Sequence, residues 1–149
     1  MLPLNQVQKQ IGIKRLVVST YQSVSGSGKM GLEQLKNEIN NEYSTNKIYP
    51  KSIFNNVIPQ CDDFLENNYT KEEEKIINET NKIFNSKIKI TSTAVRIPTT
   101  AAHSESVNME LSSNLNLDKL IELLSKETGV VVQTGKSYKT PIDVKGSDK

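Results

Sequence analysis

Cysteine, histidine and arginine are scarce in this 149-residue sequence, and each scarcity narrows the possible functions. Cys61 is the only cysteine and His103 the only histidine, which excludes an internal disulfide framework, a cysteine-rich zinc site and a zinc site built from this pair. A single cysteine also indicates a reducing compartment, so we expect a cytoplasmic protein. Arginine occurs only at Arg15 and Arg96. Few positions can therefore grip a carboxylate with a planar fork.

Long apolar runs and an excess of one charge are also missing. No stretch approaches the roughly 18 apolar residues that a membrane span needs, and residues 1–12 lack the apolar run of a signal peptide. The 19 basic and 17 acidic residues are interspersed and leave a net charge of +2. We therefore expect no membrane and no nucleic-acid partner. The length favours one domain, 1–149, which can bury a core without covalent cross-links.

Hydrophobic spacing predicts four helices and five strands. One helix is expected to begin at Thr70, where Thr70 and Glu73 match a capping box, and to bury Ile76, Ile77, Ile83 and Phe84. The residues 42–51 form a polar connector, and the tail 135–149 carries little core material. The other helices are predicted over 2–11, 30–41 and 117–127, and the strands over 14–21, 53–59, 87–97, 107–111 and 130–133.

The order of these elements predicts the fold class. Strands alternate with helices irregularly, and several connections between strands are too short for a helical crossover. We expect an α+β fold whose sheet is mixed and largely antiparallel, with helices on one face.

A glycine motif follows the first strand. Gly26, Gly28 and Gly31 match G-x-G-x-x-G between a strand and a helix, a context in which backbone N–H groups can cradle a pyrophosphate. A dinucleotide fold would place an acidic residue about 20 positions further on in a second strand. That position falls in the polar connector 42–51. An exposed tight turn therefore remains the competing interpretation.

Three further positions could carry chemistry. Arg96 and His103 bracket Pro98, so one turn could bring a carboxylate clamp and a proton-transfer group to one cleft. A lone histidine such as His103 is, however, more often an ordinary polar loop residue than a general base. The acids that open the helix after Thr70 fit either a solvated, well-capped turn or a site. Cys61 precedes two aspartates, which should raise its thiol pKa and make it a poor nucleophile.

Three long strings resemble one enzyme family. VSTYQSVSGSGKMGLEQL, FNNVIPQCDDFLENNYTKEEEKIINET and TAVRIPTTAAHSESVNMEL occur in the family's order and cover most of residues 15–111. They closely resemble the bacterial branch of aspartate-β-semialdehyde dehydrogenase, in its catalytic and dimerisation domain. That domain is similar to the second domain of glyceraldehyde-phosphate dehydrogenase.

The resemblance implies an enzyme with a small-molecule substrate and NADP as cofactor. The family reduces L-aspartyl-4-phosphate to L-aspartate-4-semialdehyde with NADPH and releases phosphate, on the route to lysine, threonine, methionine and isoleucine. A cysteine thiolate forms a thioacyl enzyme that accepts hydride. A homodimer or homotetramer is implied.

Site residues carry over from the matching motifs. Gln22 in TYQSVSG would position the substrate, His103 in AHSES would be the acid/base, and Arg96 in VRIP would hold the substrate carboxylate. In YTKEEEK, Glu72 would meet the substrate amino group and Lys75 would lie near the phosphate. The loop with Ser25, Gly26 and Gly28 would contact the nicotinamide or substrate.

Parts of the family pattern have no counterpart here. The family's nucleophile lies in an Asn-Cys-Ser/Thr motif upstream of the strand at 14–21, and its NADP-binding domain lies upstream as well. We therefore expect a domain fragment truncated at both ends, without turnover alone, in which Cys61 occupies a normally apolar position. A non-catalytic dimerisation module or gene remnant is the alternative. The related N-acetyl-glutamyl-phosphate reductases fit less well, because TYQSVSG and YTKEEEK are not their expected strings.

Overall fold

The computed structural model describes residues 1–43 and 47–147. Residues 44–46 of the predicted connector and 148–149 of the predicted tail lie outside the described residues. The elements in chain order are α1 (Asn5–Gln10), β1 (Ile13–Ser23), α2 (Gly28–Ile39), α3 (Lys71–Ile83), β2 (Lys89–Ile97), β3 (His103–Leu111) and α4 (Leu117–Ser125).

The three strands form one mixed sheet in the order β2-β1-β3. β1 pairs in parallel with β2, because residues 24–88 between them are long enough for a crossover that carries two helices. β1 pairs antiparallel with β3 on its other side. The short segment 98–102 joins β2 to β3, and these two strands run antiparallel with β1 between them. The predicted α+β class with a mixed sheet is confirmed, with one parallel and one antiparallel pair.

The sheet has a buried face and an open face. Along β1, Leu16, Val18, Thr20 and Gln22 are buried, whereas Arg15 and Tyr21 on the opposite face are exposed. This alternation follows from the two-residue period of a strand with helices packed on one side.

The core consists of two clusters on the helical face. The first lies between the sheet and helices α1 and α4, and the second lies between α2 and the segment after it. The first cluster contains Leu4, Val7, Ile13, Leu16, Val18, Ile88 and Leu123. The second contains Val24, Leu35, Tyr49, Ile53 and Ile58.

Two predictions of local structure are confirmed at the helix ends. Thr70 caps α3: its side chain accepts the N–H of Glu73, and Glu73 accepts the N–H of Thr70 at 2.7 Å. The first helix ends before Gly12, whose φ of +83° is a left-handed conformation that favours glycine.

Three other predictions are wrong. Within 53–59 only Ile58 pairs with a strand, through an isolated bridge to Arg96. Residues 130–133 form no strand, since no neighbouring strand among the described residues pairs with them. Ile83, predicted on the buried face of α3, is 63% exposed because that face ends at Thr80 and Phe84. No helix in the described ranges 1–43 and 47–147 has the length and apolar character to cross a membrane.

Candidate active site

The sheet register places three predicted site residues in one row. Gln22 lies near the end of β1, directly beside Arg96 of β2 and His103 of β3. Residues opposite each other on neighbouring strands project from the same face. The predicted encounter of Arg96 and His103 therefore occurs, but β1 lies between them and contributes Gln22.

A cavity of about 510 Å³ opens at this row. Six of the eight candidate site residues named from the sequence line this cavity, and Ser25 and Gly28 do not. Its lining consists of Gln22, Gly26, Ser27, Ile48, Tyr49, Pro50, Gln60, Asp62, Asp63, Glu72, Lys75, Arg96 and His103.

Arg96 is a buried cation whose guanidinium is only partly hydrogen-bonded. The residue is only 7% exposed, and its Nη1 donates a hydrogen bond of 2.8 Å to the carbonyl oxygen of Ser23. Its backbone is fixed by two hydrogen bonds with Ile58. The buried Nε has no partner, and Arg96 forms no ion pair with a carboxylate among the described residues. A buried donor without an acceptor is unfavourable, so the site is suited to an anionic ligand.

His103 has a defined orientation at the other end of the row. The backbone N–H of Ser23 donates to Nδ1 of His103 at 3.2 Å. An N–H can only donate, so Nδ1 acts as acceptor and the proton of the neutral ring lies on Nε2. The side chain is exposed on the cavity side. It is therefore placed to exchange a proton at Nε2.

Glu72 and Lys75 form a polar cluster opposite the row. Gln22 donates from Nε2 to Glu72 at 3.2 Å, and the Lys75 ammonium lies 3.3 Å from the other Glu72 oxygen. The hydrogen bond with Glu72 raises the pKa of Lys75. Both residues lie in the first turns of α3, as their motif suggested.

Glu73 anchors this helix to the sheet, and the sequence indicated only half of its role. Besides closing the capping box, its Oε1 accepts the backbone N–H of Ala94 in β2 at 3.0 Å. The start of α3 is thereby tied to the strand that carries Arg96. Glu73 is thus a positioning residue for Glu72 and Lys75.

The outer wall of the cavity is held by residues that the sequence analysis missed. Gln34 of α2 is fully buried, and its Oε1 accepts the N–H groups of Ile48 and Tyr49 at 2.9 and 3.2 Å. Glu38, one turn later, accepts the N–H groups of Ile53 and Phe54, both at 2.8 Å. No sequence signal marks these two polar residues, because their partners lie in an irregular segment.

The glycine motif serves close packing. A β-carbon on Gly26 would lie 2.9 Å from Nη1 of Arg96 and 3.8 Å from Cε1 of His103. One on Gly31 would lie 2.6 Å from the carbonyl oxygen of Val24. Gly28 faces open space and has a φ of +70°. Gly26 therefore lets the short turn Val24–Ser27 pack against Arg96 and His103. Gly31 lets the start of α2 pack against the carbonyl oxygen of Val24.

Cys61 lies near the cavity but is buried. Burial raises the pKa of its thiol to about 11, and the negative charges of Glu72, Glu73 and Asp62 act in the same direction against the opposing effect of Arg96. The predicted upward shift is confirmed, with burial as its main cause. A thiol with this pKa is almost entirely protonated at neutral pH.

Comparison with known proteins identifies the same family that the sequence strings resemble. The family "Semialdehyde dehydrogenase, dimerisation domain" matches residues 3–149. An aspartate-semialdehyde dehydrogenase from Rickettsia bellii is 40% identical over 97% of this chain. The alignment covers 45% of that relative, so the chain spans less than half its length.

Solved structures agree with this assignment. Aspartate semialdehyde dehydrogenase II from Vibrio cholerae superposes with a TM-score of 0.88 at 34% identity, over 95% of this chain and 44% of that one. A structure of the same enzyme complexed with ASA gives a TM-score of 0.87, again at 34% identity, over 94% of this chain and 43% of that one. The Candida albicans enzyme, solved with NADP, shares the fold at 18% identity, with a TM-score of 0.55 over 83% of this chain and 31% of that one. The chain belongs to the semialdehyde dehydrogenase family and corresponds to its dimerisation domain.

Proposed function

We propose that this chain is the substrate-binding half of an NADP-dependent aspartate-semialdehyde dehydrogenase, which converts L-aspartyl-4-phosphate to L-aspartate-4-semialdehyde and phosphate. The observation that carries the proposal is Arg96, a buried guanidinium that lines the cavity and whose Nε has no hydrogen-bond partner in the described chain. The nucleophilic thiolate and the dinucleotide-binding domain are proposed to come from sequence outside residues 1–149. Cys61 is not a substitute, since it is buried and protonated.

Arg96 binds the substrate α-carboxylate in this proposal. One nitrogen of its fork, Nη1, is already bonded to Ser23, which fixes the plane of the guanidinium. Nε has no hydrogen-bond partner in the described chain, and the Arg96 side chain lines the cavity, so the guanidinium still has donors to satisfy. An immobilised planar fork favours a carboxylate over a compact anion, because two parallel N–H groups match the two oxygens.

Glu72 and Gln22 bind the other end of the amino-acid head group. The Glu72 carboxylate accepts one hydrogen bond from Gln22 on one oxygen and one from Lys75 on the other. A carboxylate has about four acceptor sites, so Glu72 can also accept N–H donors from the substrate ammonium. Gln22 lies between Glu72 and Arg96, so it bridges the ammonium side and the carboxylate side of the cavity. Lys75 presents its ammonium to the phosphate, as a point charge that is partly exposed to solvent.

His103 is the proposed acid/base. Its Nδ1 is occupied by the N–H of Ser23, so proton exchange is confined to Nε2. This arrangement resembles other catalytic histidines in which one ring nitrogen is fixed and the other faces the reacting atoms.

NADP is the proposed cofactor, and its reduced form, NADPH, would supply the hydride that reduces the acyl group to the aldehyde. The residues nearest to the row fit a flat ring system, because Gly26 has no side chain and a β-carbon on Gly28 would meet nothing within 4 Å. Ser25, Gly26 and Gly28 are proposed to contact it, while most of its binding is assigned to the domain outside this chain.

We further propose a homodimer in the cytoplasm, with a homotetramer as a larger assembly of the same dimer. The family match supports oligomerisation. The face of the sheet away from the helices is uncovered in one copy, and it presents Tyr21 at 42% exposure beside the half-buried Val95 and Ile97. A second copy would cover this face.

The experiment is a chimera in which residues 1–149 replace the corresponding part of the Rickettsia bellii relative. NADP⁺ reduction is measured with L-aspartate-4-semialdehyde and phosphate. The proposal predicts phosphate-dependent turnover in the chimera, at least a 100-fold loss of kcat/KM in its Arg96→Met variant, and no turnover in the 149-residue chain alone.

A soluble, cooperatively melting chimera without turnover would contradict the enzymatic proposal and leave a non-catalytic dimerisation module. Turnover by residues 1–149 alone would contradict the proposal that the nucleophile and the dinucleotide-binding domain come from sequence outside these residues. Lys136→Met, an exposed substitution in the tail, is the matched control and is expected to keep full activity.

A further inference from the structure

A second cavity, of about 470 Å³, lies at the opposite end of β1 from the candidate active site. It is formed where β1 and β2 begin, whereas Gln22 and Ser23 end β1. The eight residue-to-residue steps of extended strand from Arg15 to Ser23 span about 26 Å. The cavity is lined by Ile13, Lys14, Arg15, Ser86, Lys87, Ile88, Lys89 and Glu110.

The fold concentrates positive charge around this cavity. Lys14, Arg15, Lys87 and Lys89 give four positive charges against the single negative charge of Glu110, a local balance of +3. The whole chain carries only +2, so the remainder of the chain is net negative. This concentration of charge is not apparent from the sequence, because the two basic pairs lie in segments more than 70 residues apart.

These cations are not neutralised within the described part of the chain. None of the four takes part in an ion pair, although Glu110 stands opposite Arg15 in the strand register. All four side chains are exposed, so salt screens their mutual repulsion over a Debye length of about 8 Å at physiological ionic strength. A bound anion would relieve the repulsion that remains.

Ser86 adds a polar group to the cavity lining. Its Oγ is buried and forms no hydrogen bond with the described part of the chain, while its backbone N–H donates to the carbonyl oxygen of Asn81. A buried hydroxyl normally finds an acceptor or donor. Ser86 lines the cavity, so rotation about its Cα–Cβ bond can bring this hydroxyl to a ligand oxygen there.

Both segments that carry the cations are fixed by side-chain hydrogen bonds. Asn81 bonds both the N–H and the carbonyl oxygen of Ile88, at 2.7 and 3.3 Å. Gln8 accepts the N–H of Ile13 at 2.7 Å. The backbone beneath the cations is thus preorganised, which lowers the entropic cost of binding a ligand.

From this geometry we propose that the cavity is a binding site for a small polyphosphate anion, formed by Lys14, Arg15, Lys87, Lys89 and the Ser86 hydroxyl. Its size suits a chain of two or three phosphate groups. The proposal is independent of the proposed function, because no residue is shared between the two cavities.

The test is a titration of the ¹⁵N-labelled 149-residue chain with sodium tripolyphosphate, at a constant ionic strength of about 0.15 M set with potassium chloride. We expect saturable shifts of the backbone amides of residues 13–15 and 86–89. Shifts of the amides of Gln22 and His103 would report separate anion binding at the first cavity, near Lys75, so the residues that move distinguish the two sites.

Two double variants complete the test. Lys87→Gln with Lys89→Gln should weaken tripolyphosphate binding at least tenfold, whereas Lys36→Gln with Lys51→Gln, which removes the same charge from exposed positions, should leave it unchanged. Equal weakening in both would mean that only net charge matters and would overturn the proposal. The absence of saturable shifts at residues 86–89 in the parent chain would also overturn it.

Discussion

A β-carbon on Gly26 would lie only 2.9 Å from Nη1 of Arg96, closer than side-chain carbons normally approach a nitrogen. The loop before α2 and the guanidinium of β2 therefore fit together only because position 26 has no side chain. Gly26→Ala should displace the Arg96 fork and break its hydrogen bond to Ser23.

We expect Gly26→Ala to weaken binding of L-2-aminobutyrate, which carries the substrate's amino-acid head group, at least tenfold in a titration followed by NMR. The free energy of unfolding should fall by about 1–3 kcal/mol, because the buried guanidinium loses its acceptor on Ser23, while the backbone at Gly26 is not strained since its φ lies outside the left-handed region. Ser113→Ala, which places an alanine at an exposed loop position outside the cavity lining, is the control. Unchanged binding by Gly26→Ala would show that the guanidinium tolerates the added carbon.

His103 is expected to act on turnover more than on binding. In the chimera, His103→Gln should lower kcat by about 10²- to 10⁴-fold, the usual contribution of a general acid or base, with little change in KM. Gln retains a group that can accept the N–H of Ser23 but has no nitrogen that exchanges a proton near neutral pH. A rise in KM with kcat preserved would assign His103 to substrate binding.

The segment that follows the cavity wall, residues 52–54, should respond to acid through Glu38. Burial alone would raise the pKa of this carboxyl, but hydrogen bonds from Phe54, Gln34, Ser52 and Ile53 outweigh burial and hold the pKa below its ordinary value of 4.5. A pKa that is lower in the folded state stabilises the fold above the unfolded-state pKa, and this stabilisation disappears as pH falls through the folded-state pKa.

The free energy of unfolding, measured with urea from pH 7 to pH 3, should therefore fall below about pH 4.5 more steeply in the parent chain than in Glu38→Gln. Glu66→Gln, at an exposed position without a hydrogen bond to the rest of the described chain, should follow the parent curve. Parallel curves for the parent and Glu38→Gln would contradict the assigned role of these four hydrogen bonds.

The open face of the sheet should control association. Sedimentation equilibrium should give a dimer for the parent chain and a monomer for Tyr21→Glu, because the dimer would bury an unpaired carboxylate at a cost of several kcal/mol. Tyr138→Glu introduces the same charge in the tail, where Tyr138 is 78% exposed, and should remain dimeric. A Tyr21→Glu dimer, or a monomeric parent, would contradict the proposed interface.

The sequence predicted those features that depend on neighbours along the chain. The capping box at Thr70, the helix end at Gly12 and the main strands were recognisable because their signals lie within a few residues. The motif strings then located Gln22, Arg96 and His103, which the register of β2-β1-β3 brings into one row.

Features made by distant segments were not predictable in this way. Polar residues such as Gln34 and Glu38 are typical of the solvent-facing side of a helix, yet both accept hydrogen bonds from backbone N–H groups within residues 48–54. The strands predicted at 53–59 and 130–133 have suitable composition, but strand formation needs a partner with free edge groups, and composition does not report one.

The most direct test of the account is the ¹H–¹⁵N signal of the Arg96 Nε group, which is readily identified because Arg15 is the only other arginine. Titration with L-2-aminobutyrate should shift the Arg96 Nε signal saturably and leave that of Arg15 in place, whereas L-2-aminobutyramide, which lacks the carboxylate, should shift neither. An Arg96 signal that stays fixed, or that responds equally to the amide, would contradict the claim that this buried guanidinium binds the substrate carboxylate.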